Sequence, residues 1–169
     1  MLTGTISCGK TTLLEQLAKK GFQTVPESAR LYIEREMTKG RPIHEILESD
    51  ADERAMTDWQ RRVEHGLRAT DVVFLDRALP DYLAWWRIHG LNPNELLVEC
   101  IHHRYASVFM LDPLPFQPDD QRIEDLTAIV RYVDEWHTRD YSALGYRIVR
   151  VPVLSIQERL AFVLERLCE

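Results

Sequence analysis

Lysine is scarce in this chain. Only four of the 169 residues are lysines, Lys10, Lys19, Lys20 and Lys39, and all four precede Arg41. The formal net charge is −6 at pH 7, and no run of basic residues occurs. Nucleic acids are held largely by clustered Lys and Arg side chains on their phosphates. The composition therefore argues against a nucleic-acid partner.

Cysteine and long apolar runs are also rare. Cys8, Cys100 and Cys168 are odd in number and far apart, which suits a reducing compartment better than a disulfide framework or a zinc site. No apolar run approaches the roughly 20 residues of a membrane-spanning helix, and the first residues lack a signal-peptide pattern. We therefore expect one cytoplasmic domain over residues 1–169, with no membrane span.

One motif is complete. Residues 4–11 match G-x-x-x-x-G-K-[ST] at every fixed position. In this motif the glycines let backbone N–H groups turn toward phosphate oxygens, the lysine reaches the outer phosphates, and the last hydroxyl ligates Mg²⁺. The following helix adds its positive N-terminal end to the same anion. The predicted nucleotide-binding residues are Gly4, Thr5, Ile6, Ser7, Cys8, Gly9, Lys10, Thr11 and Thr12.

The identity of the nucleotide follows less directly from the sequence. No triplet resembles a dedicated guanine-reading motif, so we expect ATP and leave GTP open. Only three residues precede Gly4, whereas a strand commonly has about 5 or 6 residues. Either the first strand is very short or the natural start lies upstream of Met1.

Apolar runs alternate with helical patterns along the chain. Strands are predicted at 1–3, 22–25, 72–75, 107–111 and 146–151, and helices at 11–18, 28–39, 52–68, 79–89, 94–105, 123–141 and 155–167. Residues 41–50 are predicted to form a loop. This alternation indicates an α/β three-layer sandwich, in which a mostly parallel five-stranded sheet carries helices on both faces.

Polar residues follow the predicted strands. Because ligands in such sheets bind at the carboxyl ends of the strands, we expect Glu27, Asp76, Arg77 and Asp112 to converge at one edge. Glu27 is a candidate base or metal-side group, or alternatively a solvated helix-terminal glutamate. Asp76 suits the metal side, and Arg77 suits a phosphate or substrate clamp. The alternative for these two is a turn aspartate paired with its neighbour.

Four stretches together resemble a known family. Residues 4–12, 25–30, 76–81 and 144–152 are similar to AAA-type predicted ATPases of the ribosylnicotinamide-kinase-like group, within the P-loop NTPase superfamily. These proteins share the plan of small nucleoside and nucleotide kinases. The resemblance implies a nucleotide-kinase-like α/β fold that uses ATP or GTP with Mg²⁺. It does not imply which molecule receives the phosphoryl group.

The resemblance also implies roles for individual residues. Lys10, Glu27, Asp76, Arg77 and Arg122 would be catalytic, with Glu27 as the base and Arg122 as a phosphate clamp on a lid-like segment at about 112–125. An ordinary surface position for Arg122 is the alternative. Thr11 and Asp76 would hold the metal. Glu27, Arg30 and Arg77 would contact the substrate.

Two functions fit these residues. The first is a phosphotransferase that moves the γ-phosphoryl group of ATP to a small-molecule hydroxyl. The alternative is a nucleotide-dependent switch, or a slow NTPase, that acts with a protein or lipid partner. The sequence does not identify the small molecule, and it leaves the oligomeric state open.

Overall fold

A computed structural model describes residues 1–68, 70–114 and 123–167, with the side chains of 123–126 left out. The strands are β1 Leu2–Gly4, β2 Gln23–Val25, β3 Val73–Leu75, β4 Val108–Leu111 and β5 Ile148–Val151. The α-helices are α1 Lys10–Lys19, α2 Ser28–Thr38, α3 Ile43–Leu47, α4 Asp50–His65, α5 Tyr82–Ile88, α6 Pro93–His102, α7 Ile123–Ala143 and α8 Ile156–Glu165. A 3₁₀ turn at Leu79–Asp81 precedes α5.

The strands pair in parallel, as the alternating pattern predicted. β1, β4 and β5 form one ladder in the order β1-β4-β5, and β2 pairs with β3. A single bridge between Leu2 and Asp76 joins the two ladders, together with a 2.9 Å hydrogen bond from the Arg77 amide to the Leu2 carbonyl. The α/β fold is therefore confirmed, and the five strands lie in two ladders that meet where β3 ends.

Helices cover both faces of the three-stranded ladder. Leu2 and Phe109, which are register partners, pack with Leu13 of α1 and Val163 of α8 in one apolar cluster. The neighbouring strand residues point the other way, and Met110 packs near Tyr141 of α7. This alternation follows from the two-residue period of a strand. Burying each such large apolar side chain contributes about 1.5–3 kcal/mol.

A third apolar cluster lies among the helices between β2 and β4. Tyr32 of α2, Met56 of α4, Leu83 and Trp86 of α5 and Leu96 of α6 are all buried in it. These helices flank the segment that follows β3, so they form one wall of the edge where the strand ends meet. Across the described ranges, no helix is both long and apolar enough to cross a membrane.

Two predicted elements differ from the structure. Residues 41–50 were predicted to form a loop, but they contain α3, in which Ile46 is fully buried among α2 and α4 neighbours. The helix predicted from residue 79 begins instead as a 3₁₀ turn. The reason is local, because the Asp81 carboxylate accepts the Ala78 amide at 3.0 Å and tightens the first turn.

Candidate active site

The loop between β1 and α1 has the backbone geometry of an anion-binding turn. Gly4, Ser7 and Gly9 have φ values of 132°, 59° and 90°, and this repeated left-handed geometry turns successive N–H groups to one side. A Cβ on Gly4 would lie 2.7 Å from the Leu111 carbonyl oxygen, so glycine alone fits there. Gly9 is the N-cap of α1 and has no side chain to occupy the first amides. These features suit a polyphosphate.

The Lys10 ammonium lies inside this loop. Its Nζ donates to the carbonyl oxygens of Thr5 at 2.7 Å and Gly4 at 3.2 Å, and the side chain is only 5% exposed. Burial, and then the nearby positive charge of Arg77, lowers the Lys10 pKa below its ordinary value. A bound anion would relieve both effects, because it would replace carbonyl dipoles with full negative charge.

Thr11, in the first turn of α1, contacts Asp76, which follows β3. The Thr11 hydroxyl donates to Asp76 Oδ2 at 2.9 Å, while Asp76 Oδ1 is buried and has no partner among the described residues. Burial raises the Asp76 pKa, although Lys10 opposes the shift. A hydroxyl and a carboxylate with a free oxygen are donors that Mg²⁺ prefers. The two residues therefore fit a magnesium ion.

Arg77 holds the centre of the site. It has a φ of 69°, and its side chain is 5% exposed. Its Nε donates to Glu27 Oε1 at 2.6 Å, and its Nη1 donates to the Gly4 carbonyl at 3.2 Å. Arg77 thus joins the end of β2 to the start of the loop.

Glu27 is the N-cap of α2, and its side chain is 18% exposed. Burial alone would raise the Glu27 pKa, but the positive charges of Arg77 and Lys10 outweigh it and lower the pKa below its usual value. Glu27 is consequently a carboxylate at neutral pH. Arg30 lies at its other oxygen, with Nη2 3.8 Å from Oε2.

The buried carboxylate of Asp81 contacts the Arg77 guanidinium. It accepts hydrogen bonds from the hydroxyls of Thr3 and Tyr141, and it lies 3.5 Å from both Arg77 Nη1 and His137 Nδ1. Burial raises the pKa of Asp81, and the charges of His137 and Arg77 more than reverse this. Asp81 therefore ties β1 and α7 to Arg77.

Comparison with known proteins identifies the family. A family model described as an AAA domain matches residues 1–159. The chain belongs to this AAA family. Its phosphate-binding loop thus lies in a P-loop NTPase of kinase-like or ATPase type, as the resemblance implied. A search of curated proteins finds no match.

A solved structure matches the AAA domain over nearly its whole length. It is a crystal structure of the NadR protein in complex with NR, with a TM-score of 0.67 and 18% sequence identity. The match covers 97% of this chain and 48% of the NadR chain, so the AAA domain spans about half of that protein. At this identity the match supports the fold, and it carries no residue roles.

The structure brings most of the sequence-predicted residues of the AAA domain together. Within the 4–12 loop, Thr11 contacts Asp76 and Gly4 contacts Arg77. Arg77 in turn contacts Glu27, and the exposed Arg30 lies beside Glu27. Asp112 lies 3.5 Å from Arg150 of β5. Arg122 lies outside the described residues. The suggested pairing of Asp76 with its neighbour is replaced, because Asp76 bonds Thr11 and Arg77 pairs with Glu27 and Asp81.

Sequence reasoning missed two residues of the AAA domain that shape the site. Asp81 lies within a quoted stretch, yet nothing in the pattern marked it as the partner of Arg77. Arg159 of α8 is buried and donates to the Cys8 carbonyl at 2.6 Å and to the Pro152 carbonyl at 3.0 Å. It braces the loop from a helix 151 positions away in sequence, where no local signal exists.

Proposed function

We propose that this protein is a phosphotransferase that moves the γ-phosphoryl group of ATP to a hydroxyl of a small molecule. The main support is the grouping of Lys10, Asp76, Arg77 and Glu27 at the mouth of the phosphate-binding loop, with Glu27 ionised and linked to Arg77. A structural module would have no use for so many buried charges at one place, because each costs free energy unless it is paired. We further propose that residues 1–169 act as one cytoplasmic domain.

The loop and Lys10 would hold the phosphates. The backbone N–H groups at the N-terminus of α1, which follows Gly9, would donate to phosphate oxygens. Lys10 would exchange its carbonyl partners for phosphate oxygens. Thr11 and Asp76 would hold Mg²⁺, which neutralises charge that develops on the phosphates. Arg122 would clamp the transferred group.

Glu27 would position the attacking hydroxyl. Since its carboxylate is ionised at neutral pH, it would accept the hydroxyl proton as the new P–O bond forms. The bond between the γ-phosphorus and the β,γ-bridging oxygen breaks in the same transfer, and ADP leaves. Arg77 fixes the direction of the carboxylate through its 2.6 Å contact. Much of the acceleration in such a reaction comes from alignment of the two reactants.

The test is acceptor-dependent release of ADP. Purified protein is incubated with MgATP and a panel of nucleosides, sugars and vitamins, and ADP is quantified. We expect at least one compound to stimulate release, and Glu27→Gln to lower that turnover about 100-fold, within the range for general-base removal, while ATP affinity stays unchanged. Glu34→Gln, at an exposed position on the same helix, is the matched control and should behave as wild type.

A slow NTPase or nucleotide-dependent switch is the second candidate. The ion pair between Glu27 and Arg77 favours this candidate, because it occupies one oxygen of the carboxylate that the kinase proposal uses as the base. In that case ATP hydrolysis would be independent of the added compounds, or nucleotide would bind without turnover. Either result for the full panel would replace the kinase proposal.

A further inference from the structure

Helix α4 carries a buried polar stripe. Glu53, Thr57, Gln60 and Glu64 recur at the spacing of one helix face, and all four are buried. Two of them are well partnered. The Thr57 hydroxyl accepts the indole N–H of Trp86 at 2.9 Å, and Glu64 Oε1 accepts the Leu79 amide at 2.8 Å. These bonds fix α4 against the segment that follows Arg77.

The other two residues of the stripe have unsatisfied oxygens. Glu53 is 4% exposed and Gln60 is 1% exposed, yet Glu53 Oε1 and Gln60 Oε1 have no hydrogen-bond partner within the described ranges. The same holds for the hydroxyl of Tyr82, which is 2% exposed. A buried polar atom without a partner costs about 1–3 kcal/mol. Such atoms in a native protein indicate a missing ligand or ordered water.

These atoms lie on α4 and at the start of α5, two helices that contact each other and the 3₁₀ turn after Arg77. Gln60 Nε2 lies 3.4 Å from the Arg77 carbonyl. Burial raises the Glu53 pKa to about 8, opposed by the charge of Arg77, and burial together with the charges of Glu53 and Glu27 raises the Tyr82 pKa. Six buried side-chain atoms in the described part are unpartnered, and besides those of Glu53, Gln60 and Tyr82 one is on Arg159, which braces the phosphate-binding loop. The remaining two belong to Ser28 and Asp76, the sequence neighbours of Glu27 and Arg77.

The chemistry of these atoms specifies the ligand. Gln60 presents an amide oxygen that only accepts, while the Glu53 carboxyl, protonated below its raised pKa of about 8, and the Tyr82 hydroxyl can donate or accept. A ligand must therefore bring groups that both donate and accept hydrogen bonds, as hydroxyl groups do. An ionised phosphate or carboxylate group would offer mainly acceptor oxygens, and it would place negative charge beside Glu27 and Asp76.

We propose that Glu53, Gln60 and Tyr82 form a hydroxyl-binding subsite for the phosphoryl acceptor, and that this acceptor is an uncharged polyhydroxylated compound. One hydroxyl would lie at Glu27 and receive the phosphoryl group, while another binds Glu53 and Tyr82. The assignment of the bound compound as phosphoryl acceptor rests on the proposed function; its binding does not. Since the three atoms are closed to solvent, a local opening of the α4–α5 contact accompanies entry.

Calorimetry with defined compounds tests the subsite independently of turnover. The probes are D-ribose, adenosine, inosine and glycerol, each compared with a phosphorylated counterpart such as ribose 5-phosphate, with MgADP present. We expect at least one neutral compound to bind and its phosphorylated counterpart to bind at least tenfold more weakly. Glu53→Met and Tyr82→Phe should each raise the dissociation constant of the neutral compound at least tenfold and leave MgADP affinity within twofold.

Tyr32→Phe is the matched control. Tyr32 is a buried tyrosine in the same apolar cluster, but its hydroxyl already donates to Asp52 at 2.5 Å. Its loss should leave binding of the neutral compound within twofold of wild type. Tyr82→Phe removes an unpartnered hydroxyl, so this variant should fold, and a thermal unfolding curve verifies it.

Three outcomes would overturn the subsite. No neutral compound binds, or only the phosphorylated ones bind, or both variants bind as wild type, which would assign the unpartnered atoms to ordered water. Failure of the kinase proposal differs from all three. In that case the neutral compound binds and the variants lose it, but it never stimulates ADP release.

Discussion

The phosphate-binding loop and the hydroxyl-binding subsite are neighbours built by opposite means. The loop consists of consecutive residues whose backbone geometry, with positive φ at Gly4, Ser7 and Gly9, creates the binding surface. The subsite consists of side chains from α4 and α5, brought together by tertiary packing. Arg77 stands between them, bonded to the Gly4 carbonyl on one side and close to Gln60 on the other.

This difference determines what each region requires. Backbone amides are available whatever the variable side chains are, so the loop depends on two glycines and a lysine. The subsite depends on side chains that are costly to bury and cannot be exchanged for apolar ones without losing the ligand. Changes in the loop should therefore affect nucleotide binding first, whereas changes in the subsite should affect choice of the second substrate and stability.

The largest expected effect belongs to the loop. Lys10→Ala removes the ammonium that now bonds Thr5 and Gly4, and we expect turnover to fall about 10²–10³-fold, as for the loss of one charge-stabilising donor. Nucleotide affinity, measured by calorimetry with MgADP, should also fall. Lys19→Ala, in the last turn of the same helix, is the control. Equal nucleotide affinity in wild type and Lys10→Ala would show that the loop does not bind phosphates as described.

A pH effect should distinguish the subsite from the loop. The Glu53 pKa rises from 4.5 to about 8 in the folded state because of burial, so between these values the folded protein binds more protons than the unfolded one. Stability of wild type is therefore lost as pH rises through this window, by at most about 1.4 kcal/mol per pH unit from this group. Glu53→Gln should lack this loss.

Chemical denaturation at pH 5, 6, 7 and 8 measures this dependence of stability on pH. The free energy of unfolding of Glu53→Gln relative to wild type should increase steadily with pH. His137, whose pKa is lowered to about 4 by burial, makes both proteins less stable as pH falls from about 6.5, and this contribution cancels in the difference. A difference that is constant with pH would place Glu53 in a solvated environment.

The smallest expected effect is a difference in folding stability between variants of two buried tyrosines. Tyr141 donates to Asp81 at 2.6 Å, and Tyr141→Phe leaves that buried carboxylate short of a donor, at a cost of about 1–3 kcal/mol. Tyr82→Phe loses no hydrogen bond and should be neutral or slightly stabilising without ligand. Urea titration of both variants measures the contrast. If both lose the same stability, the Tyr82 hydroxyl has a partner after all.

Local features of the fold were readable from the sequence. The loop, Glu27, Asp76 and the parallel strands were predictable because motif, helix start and apolar strand end are all written within a few residues. The division of the strands into two ladders was not, since it depends on the turn at Arg77 and a single bridge at Leu2. The helix α3 was missed because five residues carry too little periodicity to register.

The rest of the site depends on contacts over long sequence separations. Asp81 reaches His137 and Tyr141 across 56 and 60 positions, and Arg159 reaches the loop across 151. Glu53 and Gln60 were hidden for another reason. A helix with charged residues on most faces is predicted to be solvated, and only tertiary packing shows which of its charged side chains are buried.

The resting position of Lys10 has a consequence for selectivity. Its ammonium is already satisfied by two carbonyl oxygens, so an incoming anion must outcompete contacts the protein makes with itself. A lone phosphate or sulfate offers little beyond what it displaces, whereas a polyphosphate chain can engage the lysine and the helix amides at once. We therefore expect the loop to bind a polyphosphate chain more tightly than a single phosphate or sulfate ion.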